Sequence, residues 1–389
     1  MESVTGSTLR GSSVRAAFVT AANPRRIEQL SGTHYYMLRA LERRFNMVSV
    51  IEQPWPNWFV PVGRGLKLLS AKQFDYGWSP SFTGLAAQNT IARLRAAKPD
   101  IVFAVLVSPM THQLVREFRV VHISDTTVRA MVGYYEGFTK LSRFARSGAE
   151  RIEAKAIREA FLSLYPMRWA VDSALKDYGA NPDRTLEIAW GANLDNGYAQ
   201  PRTLPAGELR LLFVGVDWKR KGGQIAVDTV AELNRRGVAC RLDVVGCTAS
   251  VLDVPVPVNV TFHGFIGKST PEGRALIDRL FDEATFFLLP TLAECAGMAF
   301  AEAAHHGLPS LSFHTGGLPS VIRSGETGML LAPGAPPSEF ADTVCAFLAD
   351  PGRYTAMSAA AIADSKKRLN WETWGSAVEA AVLDRLAGT

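Results

Sequence analysis

The feature that most constrains this chain is an alternation of short apolar runs and amphipathic segments that runs once, stops at a proline-rich seam, and starts again. Short apolar runs bounded by turn residues read as buried strands, and apolar residues at three- and four-residue spacing read as helices. In the first pass, 14–20, 47–51, 101–107, 120–123 and 186–189 read as strands, and 34–45, 89–97 and 146–162 as helices. The seam, 201–207, holds two prolines, a glycine and little apolar content, and reads as a linker. In the second pass, strands are expected at 209–214, 241–245, 258–262, 286–289, 310–313 and 329–331. Helices are expected at 224–236, 271–283, from about Gly297 to His306, and at 338–349 and 351–369.

Strands alternating with helices call for parallel sheets covered on both faces. Two such blocks suit 389 residues, too many for one ordinary core. The expected organisation is an α/β chain with a disordered tail at 1–13, a first Rossmann-like domain at 14–204 and a second at 205–368, the two facing a cleft. In open α/β sheets, ligands bind beyond the C-terminal ends of the strands, so that cleft is where a site is expected.

Composition narrows the classes. With 47% hydrophobic and 20% charged residues, the balance is that of a globular protein. The most apolar stretch, 284–300, is broken by Pro290 and Glu294, so no membrane-spanning helix is expected. The Ser/Gly/Thr-rich start lacks the apolar core of a signal peptide, which makes a cytoplasmic protein the expectation. Four cysteines without a C-x-x-C pair suggest neither a zinc site nor a disulfide framework. Charge is uneven. Residues 1–205 hold 26 of the 42 Lys and Arg but 17 of the 37 Asp and Glu, which gives +9 there and −4 beyond. That excess has two readings. One is peripheral contact of the first domain with an anionic membrane or acceptor; the other is an ordinary solvated surface. No nucleic-acid partner is expected.

The chemistry concentrates in Pro290–Ala303, PTLAECAGMAFAEA. Glu294 and Glu302 are eight apart, about 80° of rotation on one continuous helix and so not one face. The pair makes better sense with Glu294 in a loop and Glu302 one turn into a helix that starts near Gly297. Carboxylates accept hydrogen bonds from hydroxyls, and the free N–H groups of a helix start bind hydroxyl or phosphate oxygens. The competing reading makes Glu302 an exposed helical residue. Gly215–Gly223, GVDWKRKGG, opens the second domain. Glycines there let the backbone approach a ligand, and Lys219, Arg220 and Lys221 read either as a basic triplet that could neutralise a diphosphate or as an exposed lysine-rich turn. It is not a P-loop, because no Ser or Thr follows Lys221. Ser31-Gly32-Thr33 sits before the first helix, as a phosphate-touching loop or as a plain cap. No two aspartates stand two apart, so no catalytic metal is expected.

These residues resemble the retaining glycosyltransferase family 4, which has the GT-B fold of two Rossmann-like domains. The E-x7-E match is Glu294 and Glu302, and the flanking PTLAECAGMAFAEAAHHGLPSLSFHTGGLPSVIRSGETGMLL follows the family pattern nearly residue for residue. LLFVGVDWKRKGG resembles the phosphate-contacting loop and SGTHYYMLRALE the first-domain glycine loop. The resemblance runs from about Val14 to the end, where Asn370-Trp371 and the following helix (369–389) resemble the helix that crosses back onto domain one.

The resemblance implies a retaining, metal-independent hexosyltransferase acting in polysaccharide, glycolipid or other glycoconjugate biosynthesis. It needs no cofactor. A UDP- or GDP-linked sugar is the donor substrate, and the acceptor is a hydroxyl of a glycan, a lipid-linked glycan or a small molecule. It places Glu302 on the donor ribose. Glu294, Cys295 and the amides of Ala296, Gly297 and Met298 fall on the donor sugar, and Lys221 and Arg220 on the departing diphosphate. Gly32 and Thr33 lie against that diphosphate, and Asp125 stands towards the acceptor. Two positions depart from the family. Val216 stands where an arginine is usual, and the region His122-Ile-Ser-Asp125 lacks a histidine in the loop proper. Val216 supports the alternative, a catalytically inactive GT-B-like binding or scaffold subunit.

Overall fold

The structure, a computed structural model, describes residues 11–52, 55–57, 59–69 and 78–388. It divides into two compact units. The first is Met1–Ile188 with Trp371–Thr389, and the second is Ala189–Asn370.

The first unit carries a six-stranded sheet of β1 (Arg15–Thr20), β2 (Asn46–Glu52), β3 (Ile101–Val105), β4 (Val120–Ile123), β5 (Leu162–Tyr165) and β6 (Thr185–Glu187). Every pairing is parallel, in the order β2-β1-β3-β4-β5-β6. β3, β4 and β5 are buried along their whole length, as parallel strands covered on both faces must be. The second unit carries β7 (Leu209–Val214), β8 (Cys240–Val245), β9 (Val260–Gly264), β10 (Phe286–Leu288), β11 (Ser310–Phe313) and β12 (Gly328–Leu331). Its order, β12-β11-β10-β7-β8-β9, is again all parallel. This is the Rossmann order. The chain leaves β7 in one direction across the sheet and β10 in the other, so a crevice opens where their loops part.

Several segments differ from the sequence reading, among them the unexpected helices Ser108–Leu114 and Arg168–Tyr178, and three differences have a plain local reason. The helix expected at 146–162 is Arg143–Glu159, and Leu162–Tyr165 is a buried strand. Four residues are too few for periodicity to separate from a helix end. The helix expected at 89–97 begins at Pro80, with proline in the first turn where no N–H is needed. The strand expected at 101–107 stops at Val105, because Leu106 turns the backbone to φ +51°.

The last helix, Trp371–Ala387, belongs to the first unit. Trp371 stacks on Tyr36 with ring centroids 6.4 Å apart. The buried Arg44 guanidinium donates to the Glu372 carbonyl at 3.0 Å and to Ser376 Oγ at 2.9 Å, and pairs with the Glu372 carboxylate. Gly375 makes room for it, since a Cβ there would stand 2.8 Å from Arg44 Nη1. The proline-rich seam is packed rather than free. Arg202 donates to the carbonyls of His306 at 2.7 Å, Ala284 at 2.8 Å and Asp282 at 2.8 Å. Gly11–Ser13 form a short turn, and residues 1–10 of the expected tail lie outside the described residues. Among the described residues, no helix is long and apolar enough to cross a membrane.

Candidate functional site

In the second unit, the loops after β7 and β10 meet at the point where the strand order reverses. The β7 loop is pinned by Trp218, which is buried against Phe213 and Phe262. Its last turn closes through Lys221 N to Asp217 O at 2.9 Å and Gly223 N to Trp218 O at 2.9 Å. The glycines serve this packing. Gly222 has φ +72°, and a Cβ on it would fall 2.0 Å from the Pro290 carbonyl oxygen; one on Gly223 would overlap the Trp218 ring at 2.2 Å.

Arg220 sews the two loops together. Its Nε donates to Asp217 Oδ2 at 3.1 Å and its Nη1 to Ala293 O at 2.8 Å, while its carbonyl accepts from Leu292 N at 2.8 Å. Lys219 and Val216 are exposed, Val216 to 68%.

That interlock sets Lys221 against Glu294. The Lys221 ammonium donates to Glu294 Oε2, with both side chains largely buried. A buried carboxylate is costly unless paired, so the lysine is what allows Glu294 to sit there. The backbone of Glu294 is held as well, its carbonyl accepting from Gly317 N at 3.1 Å. After the buried Cys295 and the half-buried Ala296, Gly297 turns to φ +60° and the helix Met298–His305 begins. Its first hydrogen bonds are from Phe300 and Ala301 N to Gly297 O, which leaves the Met298 and Ala299 N–H groups at the positive end of the helix.

Glu302 lies one turn further in and is 4% exposed, not the exposed helical residue that was the competing reading. Its Oε1 accepts from Lys268 Nζ at 2.5 Å. Lys268 follows β9, and Arg274 holds its carbonyl at 3.0 Å. The sequence reading missed this lysine. The signal was a basic residue just past a strand end, in Gly267-Lys268-Ser269-Thr270. This site therefore brings together two buried carboxylates, Glu294 and Glu302, each neutralised by a lysine from a different loop.

Gly32, Thr33 and Asp125 belong to the first unit. Leu30, Ser31 and Gly32 all have positive φ (47°, 57° and 88°), a strained approach to the helix Thr33–Glu42. Thr33, its first residue, is buried. Asp125 is half-buried in the turn after β4 and borders a cavity of about 120 Å³. His122 is fully buried inside β4. Residues 54–60, PWPNWFV, form an aromatic-rich stretch in which Trp55 packs half-buried against the core of the first sheet, while positions 54 and 58 lie outside the described residues. No group of three His, Cys, Asp or Glu among the described residues is placed to hold a metal ion.

Residues 208–350 match the family model of Glycosyl transferases group 1. The D-inositol 3-phosphate glycosyltransferase 1 of Catenulispora acidiphila is 27% identical over 233 residues, 56% of this chain and 53% of that protein. The chain spans about half the length of the curated relatives it matches. Sucrose-phosphate synthase from Thermosynechococcus elongatus superposes with a TM-score of 0.72 at 17% identity, over 97% of this chain and all of the other. Anabaena HepE, solved in complex with UDP-glucose, gives 0.64 at 15% identity, over 95% of this chain and 99% of that one. At these identities the structural likeness establishes the fold.

Proposed function

We propose, for a chain with the GT-B fold whose second unit matches the Glycosyl transferases group 1 model, that it moves a sugar from a nucleotide diphosphate to a hydroxyl acceptor with retention, in glycoconjugate biosynthesis. The observation that carries this reading is the Lys221–Glu294 pair at the reversal of strand order, with Glu302 on the same strand-loop-helix element as Glu294 and held by Lys268 from the loop after β9. The neighbour solved with UDP-glucose supports a UDP-linked donor.

In this reading Glu302 accepts from the ribose hydroxyls, and Glu294 with the Met298 and Ala299 amides holds the sugar. Lys221 meets the negative charge that grows on the leaving diphosphate. A preorganised cation there lowers the barrier. The C–O bond to the diphosphate breaks on the face where the acceptor oxygen bonds, and the leaving phosphate oxygen takes the acceptor proton. No side-chain nucleophile and no metal is required. Arg220 is committed to joining the two loops, so Lys219 is the better candidate for a second cation in place of the arginine absent at Val216.

Four free cysteines support a reducing, cytoplasmic setting. Peripheral contact of the first unit with an anionic membrane is supported by its basic excess and by Leu68 and Leu69, exposed on the helix Phe59–Leu69.

The test is release of UDP or GDP from a panel of nucleotide sugars, with and without hydroxyl acceptors. Release that falls in Lys221→Ala and Glu302→Ala supports the reading; no release and no stabilisation by any nucleotide sinks it. The exposed Val216 favours a second reading, a binding or scaffold subunit without catalysis. That protein would be stabilised by nucleotide and release nothing.

A further inference from the structure

In the first unit, the cavity beside Asp125 opens beyond the C-terminal ends of β3 and β4. Its lining residues include Asp125, Glu153, Ser108, Thr126, Trp78 and Phe138. Glu153 reaches it from the helix Arg143–Glu159 and is 1% exposed. A carboxylate buried so deeply calls for strong partners. The protein supplies a long hydrogen bond from Ser108 Oγ, 3.4 Å, and His122 Nε2 at 3.8 Å, beyond hydrogen-bond reach. Thr126 Oγ1, 5% exposed as a residue, has no hydrogen-bond partner among the described residues. Behind the wall, both His122 ring nitrogens and the Tyr165 phenol oxygen are in the same condition. Buried polar groups are ordinarily satisfied, so an unmet Thr126 hydroxyl and a thinly satisfied Glu153 carboxylate on one cavity mark a place for a polar guest.

The walls say what kind of guest. Carboxylates accept from hydroxyls, Ser and Thr hydroxyls both donate and accept, and aromatic rings cover C–H faces. Among the described residues, the lining includes no Lys, Arg or His and two carboxylates, which oppose an anion. A volume of about 120 Å³ is a little below the roughly 150 Å³ of a cavity that admits one benzene ring, the scale of one edge of a sugar ring or a small polyol. We propose that this cavity is a subsite for an uncharged hydroxyl-bearing group, a sugar ring or polyol, held by Glu153 and Thr126 and closed to phosphate. Naming that group as part of the acceptor rests on the transferase reading above.

The test is saturation-transfer NMR on the full chain without donor, titrating methyl α-D-glucoside, myo-inositol and inorganic phosphate separately. At least one neutral probe should bind saturably and phosphate should not displace it. Binding should weaken at least ~5-fold in Thr126→Val and in Glu153→Gln. Thr126→Val removes one oxygen at nearly constant shape, so it carries the test if Glu153→Gln fails to fold. Absence of binding by both neutral probes, tighter binding of phosphate, or unchanged binding in Thr126→Val overturns the proposal. Stabilisation by UDP, measured on the same samples, is expected to be intact in Thr126→Val. Its absence from the wild type would count against the transferase reading while leaving the polyol result to stand or fall on its own.

Discussion

Lys221 donates a hydrogen bond to the Glu294 carboxylate, joining the loop that leaves β7 to the loop that leaves β10. The pair is self-neutralising, and in the proposed reading its lysine is the cation that meets the donor diphosphate. Lys221→Ala is expected to cut turnover by ~10²-fold or more, with a smaller change in KM, if the lysine acts on charge that appears only in the transition state. Steady-state kinetics of nucleotide release check this. Equal kcat in variant and wild type would remove Lys221 from the mechanism. The variant also leaves Glu294 without its ammonium, so a loss of about 1–3 kcal/mol in denaturant stability is expected alongside.

Lys268 is expected to position Glu302 rather than to touch the reacting atoms. Lys268→Met should weaken binding of a nucleotide diphosphate several-fold while kcat at saturating donor changes little. Calorimetric titration with UDP, set against kcat, separates the two. A fall in kcat with affinity intact would make Lys268 a catalytic cation instead.

Gly222 faces the Pro290 carbonyl so closely that a methyl group has no place. Gly222→Ala is expected to destabilise the second unit by about 2 kcal/mol or more, from overpacking and from the left-handed backbone together. A melting temperature within a degree of wild type would contradict the geometry.

His306 gives a pH signature. Its Nδ1 lies 2.8 Å from Asp282 and its Nε2 3.7 Å from Asp278. Burial alone would lower its pKa, but the two carboxylates outweigh burial and raise it above 6.5. The stability it lends is therefore complete below pH 6.5 and lost as pH rises through the raised value. Asp282, held below 3.8 chiefly by its hydrogen bond to His306, gives up its share only as pH falls through its lowered value. His305 is lowered by burial and by the His306 charge and works the other way, so the effect is read by difference. The melting-temperature gap between wild type and His306→Gln should be widest between pH 3.8 and 6.5 and should close on the alkaline side. A gap that does not change with pH would refute the assignment.

Leu68 and Leu69 are 73% and 87% exposed at the end of the helix Phe59–Leu69. If the first unit touches an anionic bilayer, a Leu68→Ser, Leu69→Ser variant should sediment several-fold less with vesicles rich in phosphatidylserine, and added salt should weaken the wild type as well. No binding by the wild type would leave the leucines as ordinary surface.

The two-block α/β plan was legible because a parallel strand buried on both faces reads as an unbroken apolar run, as Ile101–Val105 and Leu209–Val214 do. The strand Leu162–Tyr165 was not legible, since its four residues continue an amphipathic helix without a break. Glu294 and Glu302 could be picked out by their place in a strand-loop-helix element. Their lysines stand differently. Lys221 lay in a recognisable loop, whereas Lys268 comes from 34 residues upstream of its partner and only the folded sheet brings it there. Arg220 read as a free cation, because no local pattern says that Ala293 will claim its guanidinium.

The helix Trp371–Ala387 has a consequence for the order in which the molecule can be made. Arg44 is synthesised early, but Glu372, Ser376 and the gap left by Gly375 emerge from the ribosome more than three hundred residues later. The first unit therefore cannot finish its packing until the helix Trp371–Ala387 has been synthesised. The Arg44 guanidinium gains these partners only once residues 371–376 have been made, so a truncation ahead of Trp371 would damage packing laid down at the beginning of the chain.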